Sequence, residues 1–307
     1  MQYNESSVTE FYLLGFTLTP ILKSLTFLIV LVVYMAGIVI NSSVIAIIWT
    51  EQNLQKPMYF FISVFSFLEL WYPTITVPGL LHGLLLRHKG ISFGCCIAQF
   101  YLHFSLGATE NILLLVIAFD RYVAICKPLH YIYIMEPRIC LRCALGTWIG
   151  GFSCFIFLAV QISKVTFCGS NIVDHYYCDF APLIQLACSD TSNLESVFLV
   201  ICGFVIILCF ISIIISYIYI LRTILVLPTS SGRSKAFYTC ASHLTVVLIF
   251  YGTTIFMFVR PTRESDLHTN KIVSVIPSVV TPVLNPIIYT LRNQEVKAAI
   301  WRAIHCV

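Results

Sequence analysis

Charge is what this chain has least of. Only 10% of its 307 residues are charged and 59% are hydrophobic, whereas a soluble domain carries about a quarter charged residues. Water is therefore not its main solvent. The net charge of +4 comes with no basic run, zinc-ligand spacing or basic helix, which excludes nucleic acid as a partner and leaves the excess to membrane topology. There is no nucleophile with a base partner and no His-Glu-x-x-His helix, so enzyme chemistry has no seat. Low-complexity segments are missing too, and the longest polar-leaning connection runs only from 163 to 193, so function is expected inside one bundle or its loops. The first ten residues are polar and lack the basic, apolar and small-residue order of a signal peptide, so the first span is expected to start insertion itself.

Apolar length, by contrast, is abundant. A bilayer core takes about 20 apolar residues per helix, and seven stretches meet that length: 24–49, 58–86, 93–126, 139–162, 194–227, 236–259 and 271–291. The expected fold is all-α, one polytopic domain over 1–307 built as a seven-transmembrane helix bundle in contact with membrane lipid. Past the last span, Val296, Ile300 and Ile304 recur at helical spacing with Lys297 and Arg302 between them, which predicts a short amphipathic helix on the membrane surface.

An odd number of spans puts the termini on opposite sides. With residues 1–23 outside and 292–307 inside, the inner segments hold Lys56, Arg121, Lys127, Arg138, Arg142, Arg222, Arg233, Lys235, Arg292, Lys297 and Arg302, eleven of the eighteen Lys and Arg. That bias favours this orientation. Asn4-Glu5-Ser6 adds a glycosylation acceptor at Asn4, which requires a lumenal N-terminus. Of the thirteen cysteines, those in apolar runs read as inert packing, and Cys95, Cys96, Cys168, Cys178 and Cys188 near the loops invite a disulfide reading.

Polar residues at membrane depth are the chemically informative ones. Glu69 and Glu110, with Asn41, Asn111 and Asn285 nearby, could gather oxygens around a hydrated cation such as sodium, or share one proton; the residues leave both readings open. Asp120-Arg121-Tyr122 ends the third span, where an arginine can reach water and an aspartate can neutralise it. Asn285-Pro286 with Tyr289 marks a kink in the seventh, because proline frees a backbone carbonyl. Pro57 opens the second span, as proline favours the first helical position. His243, near the inner end of the sixth span, is either a hydrogen-bonded packing residue or part of a switch.

These strings occur together as Pro57-Met58-Tyr59-Phe60-Phe61, Ala118 to Cys126 around Asp120-Arg121-Tyr122, Lys235 to Leu244, and Pro282 to Tyr289. In order and spacing the chain resembles the olfactory receptors, a family of rhodopsin-like G protein-coupled receptors, over essentially its whole length. Phe119 stands where that family usually has tyrosine and Glu69 where it usually has aspartate, departures that bear on cation binding and not on membership. The resemblance implies disulfides Cys96–Cys178 and Cys168–Cys188 and a loop 163–193 stapled as a lid; no cofactor is expected, apart from the sodium ion that is one of the two readings of Glu69 and Glu110. It also implies an odorant as ligand, a stimulatory olfactory-type G protein as partner, and activation through Asp120, Arg121, Tyr122, Tyr217, His243, Asn285, Pro286 and Tyr289. The alternative for His175 to Asp179, capture of a soft metal, fails if Cys178 is oxidised.

Counting back from Arg121 along one helical face reaches Ala108, Gly107, Phe104 and His103. The resemblance adds Ile201, Cys202, Val205, Tyr251, Thr254, Ile255, Phe258, Val275 and Ser278. This set would suit a small, mostly apolar volatile, with His103, Tyr251, Thr254 and Ser278 as polar points, and it contains no carboxylate to anchor an amine. Ordinary helix packing accounts for each apolar member equally well, and His103 either meets ligand or is satisfied by the outer loop. From other classes, a small transporter or channel using Glu69 and Glu110 as an ion path is the rival reading, although inverted halves are not evident.

Overall fold

The computed structural model describes residues 8–85, 90–168, 170–226, 230–259, 264–291 and 294–305. Asn4 and Arg292 lie outside them, as do the side chains of Phe258, Ile300 and Ile304. Among the described residues, seven helices are long and apolar enough to cross a membrane: Pro20–Thr50, Pro57–Leu85, Phe93–Cys126, Pro137–Ile162, Ser192–Val226, Cys240–Met257 and Thr269–Tyr289. Proline sits at the start of the first, second and fourth, where its missing N–H is no loss. The first and fifth spans turn residues such as Leu28, Val32, Phe204 and Leu208 outward, as lipid-facing helices must. The third span is the axis, packed along its length against the second, fourth and fifth.

Prolines shape the seventh span. Pro286 cannot donate to the carbonyl of Pro282, and Asn41 Nδ2 of the first span donates to that carbonyl at 2.8 Å. Just before Pro282 the helix widens into a π turn, Ile276–Val280, a device that recurs at functional sites. The same span begins inside the helix Glu264–Val273.

One element was not expected. Glu10–Leu13 pairs antiparallel with Gly90–Ser92 and parallel with Ile172–Val173, a three-stranded sheet with Glu10–Leu13 in the centre. It caps one end of the bundle, called the capped end below. At the opposite end the helix Gln294–His305 buries Val296 and Ala299 and exposes Lys297 and Arg302. Lys56 and Tyr59 both bond Glu295, at 2.8 and 2.9 Å, and Arg302 bonds Glu51 at 3.0 Å, tying this amphipathic helix to the turn between the first two spans.

Candidate functional site

A cavity of about 750 Å³ lies toward the capped end between the third, fifth, sixth and seventh spans. Its ceiling is the segment 175–179, in which His175, Tyr176, Tyr177 and Cys178 are buried. A disulfide joins Cys178 to Cys96 at the head of the third span, with Cα atoms 5.5 Å apart, and a second joins Cys168 to Cys188 within the loop, 5.7 Å between Cα atoms. Cys178 has no thiolate to give a metal, which removes the soft-metal reading of this segment. Its backbone N–H donates to Gln99 Oε1 at 3.0 Å, and Tyr176 donates to Ser278 Oγ at 3.2 Å. The lid is thus bonded to the third and seventh spans at once.

Lys271 locks it from the side. Its buried ammonium donates to Asp174 at 2.6 Å and to the Gly15 carbonyl at 2.9 Å, drawing together the seventh span, the lid and the N-terminal segment. Gly15 has φ +61°, a conformation other residues adopt only with strain. Burial, and then the nearby Lys271, hold His175 neutral by lowering its pKa well below the ordinary value. Replacing Lys271 with methionine is expected to destabilise the purified protein by about 1–3 kcal/mol and to speed proteolysis of the N-terminal segment. Unchanged melting and cleavage would mean that the lock is ornamental.

Of the residues proposed for ligand, His103, Phe104, Gly107, Ala108, Cys202, Val205, Thr254 and Ser278 line the cavity. His103 is buried; its ring stacks on Tyr72 and lies 4.4 Å from Tyr177. Its Nε2 is 3.4 Å from the Tyr72 hydroxyl, and its Nδ1 has no partner among the described residues. The loop therefore supplies a ring contact to His103 but no hydrogen bond at Nδ1. Thr254 donates back to the Phe250 carbonyl, leaving its oxygen as an acceptor.

Ile201, Tyr251, Ile255 and Val275 are not brought to the cavity wall. Tyr251 is buried against Phe210, Ile255 is exposed on the outer surface, and Val275 and Ile201 pack into neighbouring apolar clusters. The reason is helical phase. Phe250, Thr254 and Met257 line the cavity from the sixth span, so residues one position later are turned by about 100°. Val275 likewise comes one position after Ser274, and Ile201 one position before Cys202, a rotation of the same size. Sequence reasoning also missed the residues that the lid and span ends contribute, Asp179, Phe180, Ile184 and Glu195 among them. Asp179 and Glu195 correct the expectation that no carboxylate borders the site; no spacing within a span could have revealed them. Burial pushes the Asp179 carboxyl up to about 6, against hydrogen bonds from the Phe180 backbone and the Tyr177 side chain.

Deeper in the bundle Asn285 Nδ2 donates to Glu69 Oε1. Glu110 Oε1 and the side-chain oxygens of Asn41, Asn111, Asn285 and Ser105 have no partner among the described residues. At the end opposite the cap, Arg121 pairs with its neighbour Asp120, both buried. Tyr131 donates to Asp120 at 2.8 Å, and Arg121 Nη1 reaches Met58 Sδ at 2.7 Å. The ring of Tyr122 lies 6.0 Å from that of Tyr219. His243 Nε2 faces the Leu114 carbonyl at 3.1 Å; a carbonyl only accepts, so Nε2 carries the proton and Nδ1 accepts from Tyr217, 2.8 Å away. His243 thereby ties the third, fifth and sixth spans. Tyr217 is engaged there and not with Arg121, and Tyr289 packs edge-on against Phe65.

Compared with known sequences, residues 30–306 match the olfactory receptor family. The chain belongs to that family. The receptor is 43% identical to human olfactory receptor 6X1 over 99% of its own length and 97% of the relative's. It is 44% identical to mouse olfactory receptor 6B9, over 98% and 95%, and 46% identical to rat olfactory receptor 287, over 98% and 97%. The receptor is therefore a multi-pass membrane protein of an odorant-receptor family and not an enzyme.

Proposed function

We propose that the receptor sits in the plasma membrane with its capped end and N-terminus outside. There it binds a small, mostly apolar odorant beneath the lid and activates a stimulatory, olfactory-type G protein inside, raising cyclic AMP. The cavity of about 750 Å³ under a disulfide-pinned ceiling carries the reading, since sites for small molecules are concave, largely apolar and of that size. Disulfides at the capped end agree with an oxidising exterior. Ligand touching the third, fifth and sixth spans shifts the population toward a conformation in which the inner end of the sixth span moves away. That motion must break the hydrogen bonds of His243 to Leu114 and Tyr217, and it releases Arg121, Tyr217, Asn285, Pro286 and Tyr289 to repack around the G protein.

A sodium ion suits the oxygens of Glu69, Glu110, Asn111 and Asn285, since it prefers hard oxygen ligands; one proton shared by the two carboxylates satisfies the same atoms. Either way one buried negative charge is neutralised.

The test is cyclic AMP in cells expressing the receptor, screened against small volatiles. Wild type is expected to respond and Arg121→Ala to lose the response at unchanged surface level. His103→Ala is expected to raise the half-maximal concentration about tenfold, the worth of one hydrogen bond. An ion current without cyclic AMP would overturn the reading in favour of a channel.

A further inference from the structure

The charged side chains that border the cavity are both acidic, Asp179 and Glu195, and among the described residues no lysine or arginine lines it. Their placement is built in. Asp179 follows the disulfide-bonded Cys178 and precedes the short helix Phe180–Ile184, so the pinned lid sets its position. Its carboxylate has about four lone-pair sites to offer a donor. Glu195 stands in the first turn of the fifth span at the rim, accepting from Thr191 at 2.8 Å.

Two more cavity-lining residues carry an unpartnered polar atom. His103 is more than nine-tenths buried, and its Nδ1 has no partner among the described residues; Asn270 Oδ1 likewise has none. With Nε2–H donated to Tyr72, Nδ1 of this cavity-lining histidine keeps a lone pair that no described group takes. Aromatic rings form the apolar side: Phe180 and Phe198 are stacked at 3.8 Å, and Phe104 meets Phe198 edge-on. Ring faces attract cations as well as apolar groups.

We infer that the cavity takes a small protonated amine with an apolar body, its ammonium held by Asp179, with Glu195 at the rim drawing cations in. This rests on the cavity being the odorant site. A neutral ligand that displaces water from beside Asp179 leaves a carboxylate desolvated and unpaired, which is costly. An ammonium of the same size restores the lost hydrogen bonds and the opposing charge. The negative rim also raises the local concentration of cations.

The experiment uses matched probes that differ only at the polar group: cyclohexylamine with cyclohexanol, and 2-phenylethylamine with 2-phenylethanol. Each is applied to cells displaying the full receptor, with cyclic AMP as readout. In at least one pair the amine is expected to act at roughly tenfold lower concentration than its alcohol. Asp179→Asn should raise the amine's half-maximal concentration about tenfold and move the alcohol's by less than about threefold. Glu195→Gln, an exposed rim substitution that leaves the lid intact, should shift the amine alone by about threefold, which keeps the test alive if Asp179→Asn fails to reach the surface. Equal potency within every pair, equal shifts of amine and alcohol, or inactive amines at a surface-displayed receptor would overturn the assignment. Alcohols that signal through Arg121 while amines do not would overturn it and leave the receptor reading standing.

Discussion

Gly151→Leu is expected to abolish display of the receptor at the cell surface, and Gly151→Ala to lower it. A Cβ at Gly151 in the fourth span would lie 2.6 Å from the Thr109 backbone nitrogen and 2.8 Å from the Ser105 carbonyl oxygen, and would overlap Thr109 Oγ1. Two of these obstacles are backbone atoms of the third span, which no rotamer change can move. The two helices must separate, and close approach through small residues is what holds helices together in lipid, where no hydrophobic force acts between them. Overpacking by one methyl costs about 1–3 kcal/mol, and leucine adds three more carbons in the same place. The third span also carries His103 and Arg121, so any surviving protein should respond weakly. Gly146→Leu is the control, because a Cβ there meets nothing within 4 Å. Surface staining decides the matter: Gly151→Leu at wild-type level would show that the fourth span is free to shift.

Cys96→Ser should be nearly as damaging, and for a separable reason. The bond to Cys178 spans 82 residues, and loop entropy alone would assign it at most about 4–5 kcal/mol. The membrane already restrains the third and fourth spans within that loop, so the loss falls chiefly on the lid. Tyr177 would leave the His103 ring, the hydrogen bond from Cys178 to Gln99 would go, and the cavity would lose its ceiling. Odorant responses are expected to vanish even in the fraction of receptor that reaches the surface. Cys178→Ser and the double variant should match Cys96→Ser, since one bond is lost in each case. Cys168→Ser, which opens a 20-residue loop, should cost less. A normal dose–response curve from Cys96→Ser would refute the pinned-lid account.

The cavity register was beyond what periodicity could supply. A face counted back from Arg121 reached His103, Phe104, Gly107 and Ala108, because a fixed landmark on the same unbroken helix sets the phase. In the sixth span Thr254 faces the cavity but its neighbour Ile255 faces outward. One residue is 100° of rotation, and a helix that is apolar all round carries little mark of which side is inward. The seventh span is harder still, since its π turn at Ile276–Val280 resets the phase part-way along.

From the sequence by itself came the number of spans, their limits to within a few residues, the amphipathic helix and the family strings. Each of these is a property of contiguous residues, set by apolar length, by proline and by charge. The sheet of Glu10–Leu13 with Gly90–Ser92 and Ile172–Val173, the Lys271 lock, the bond from Asn41 to the carbonyl freed by Pro286, and the carboxylates at the cavity were decided only by tertiary structure. They join segments far apart in the chain through short polar contacts. Which donor meets which acceptor depends on how the seven helices settle against one another, and local pattern does not encode that.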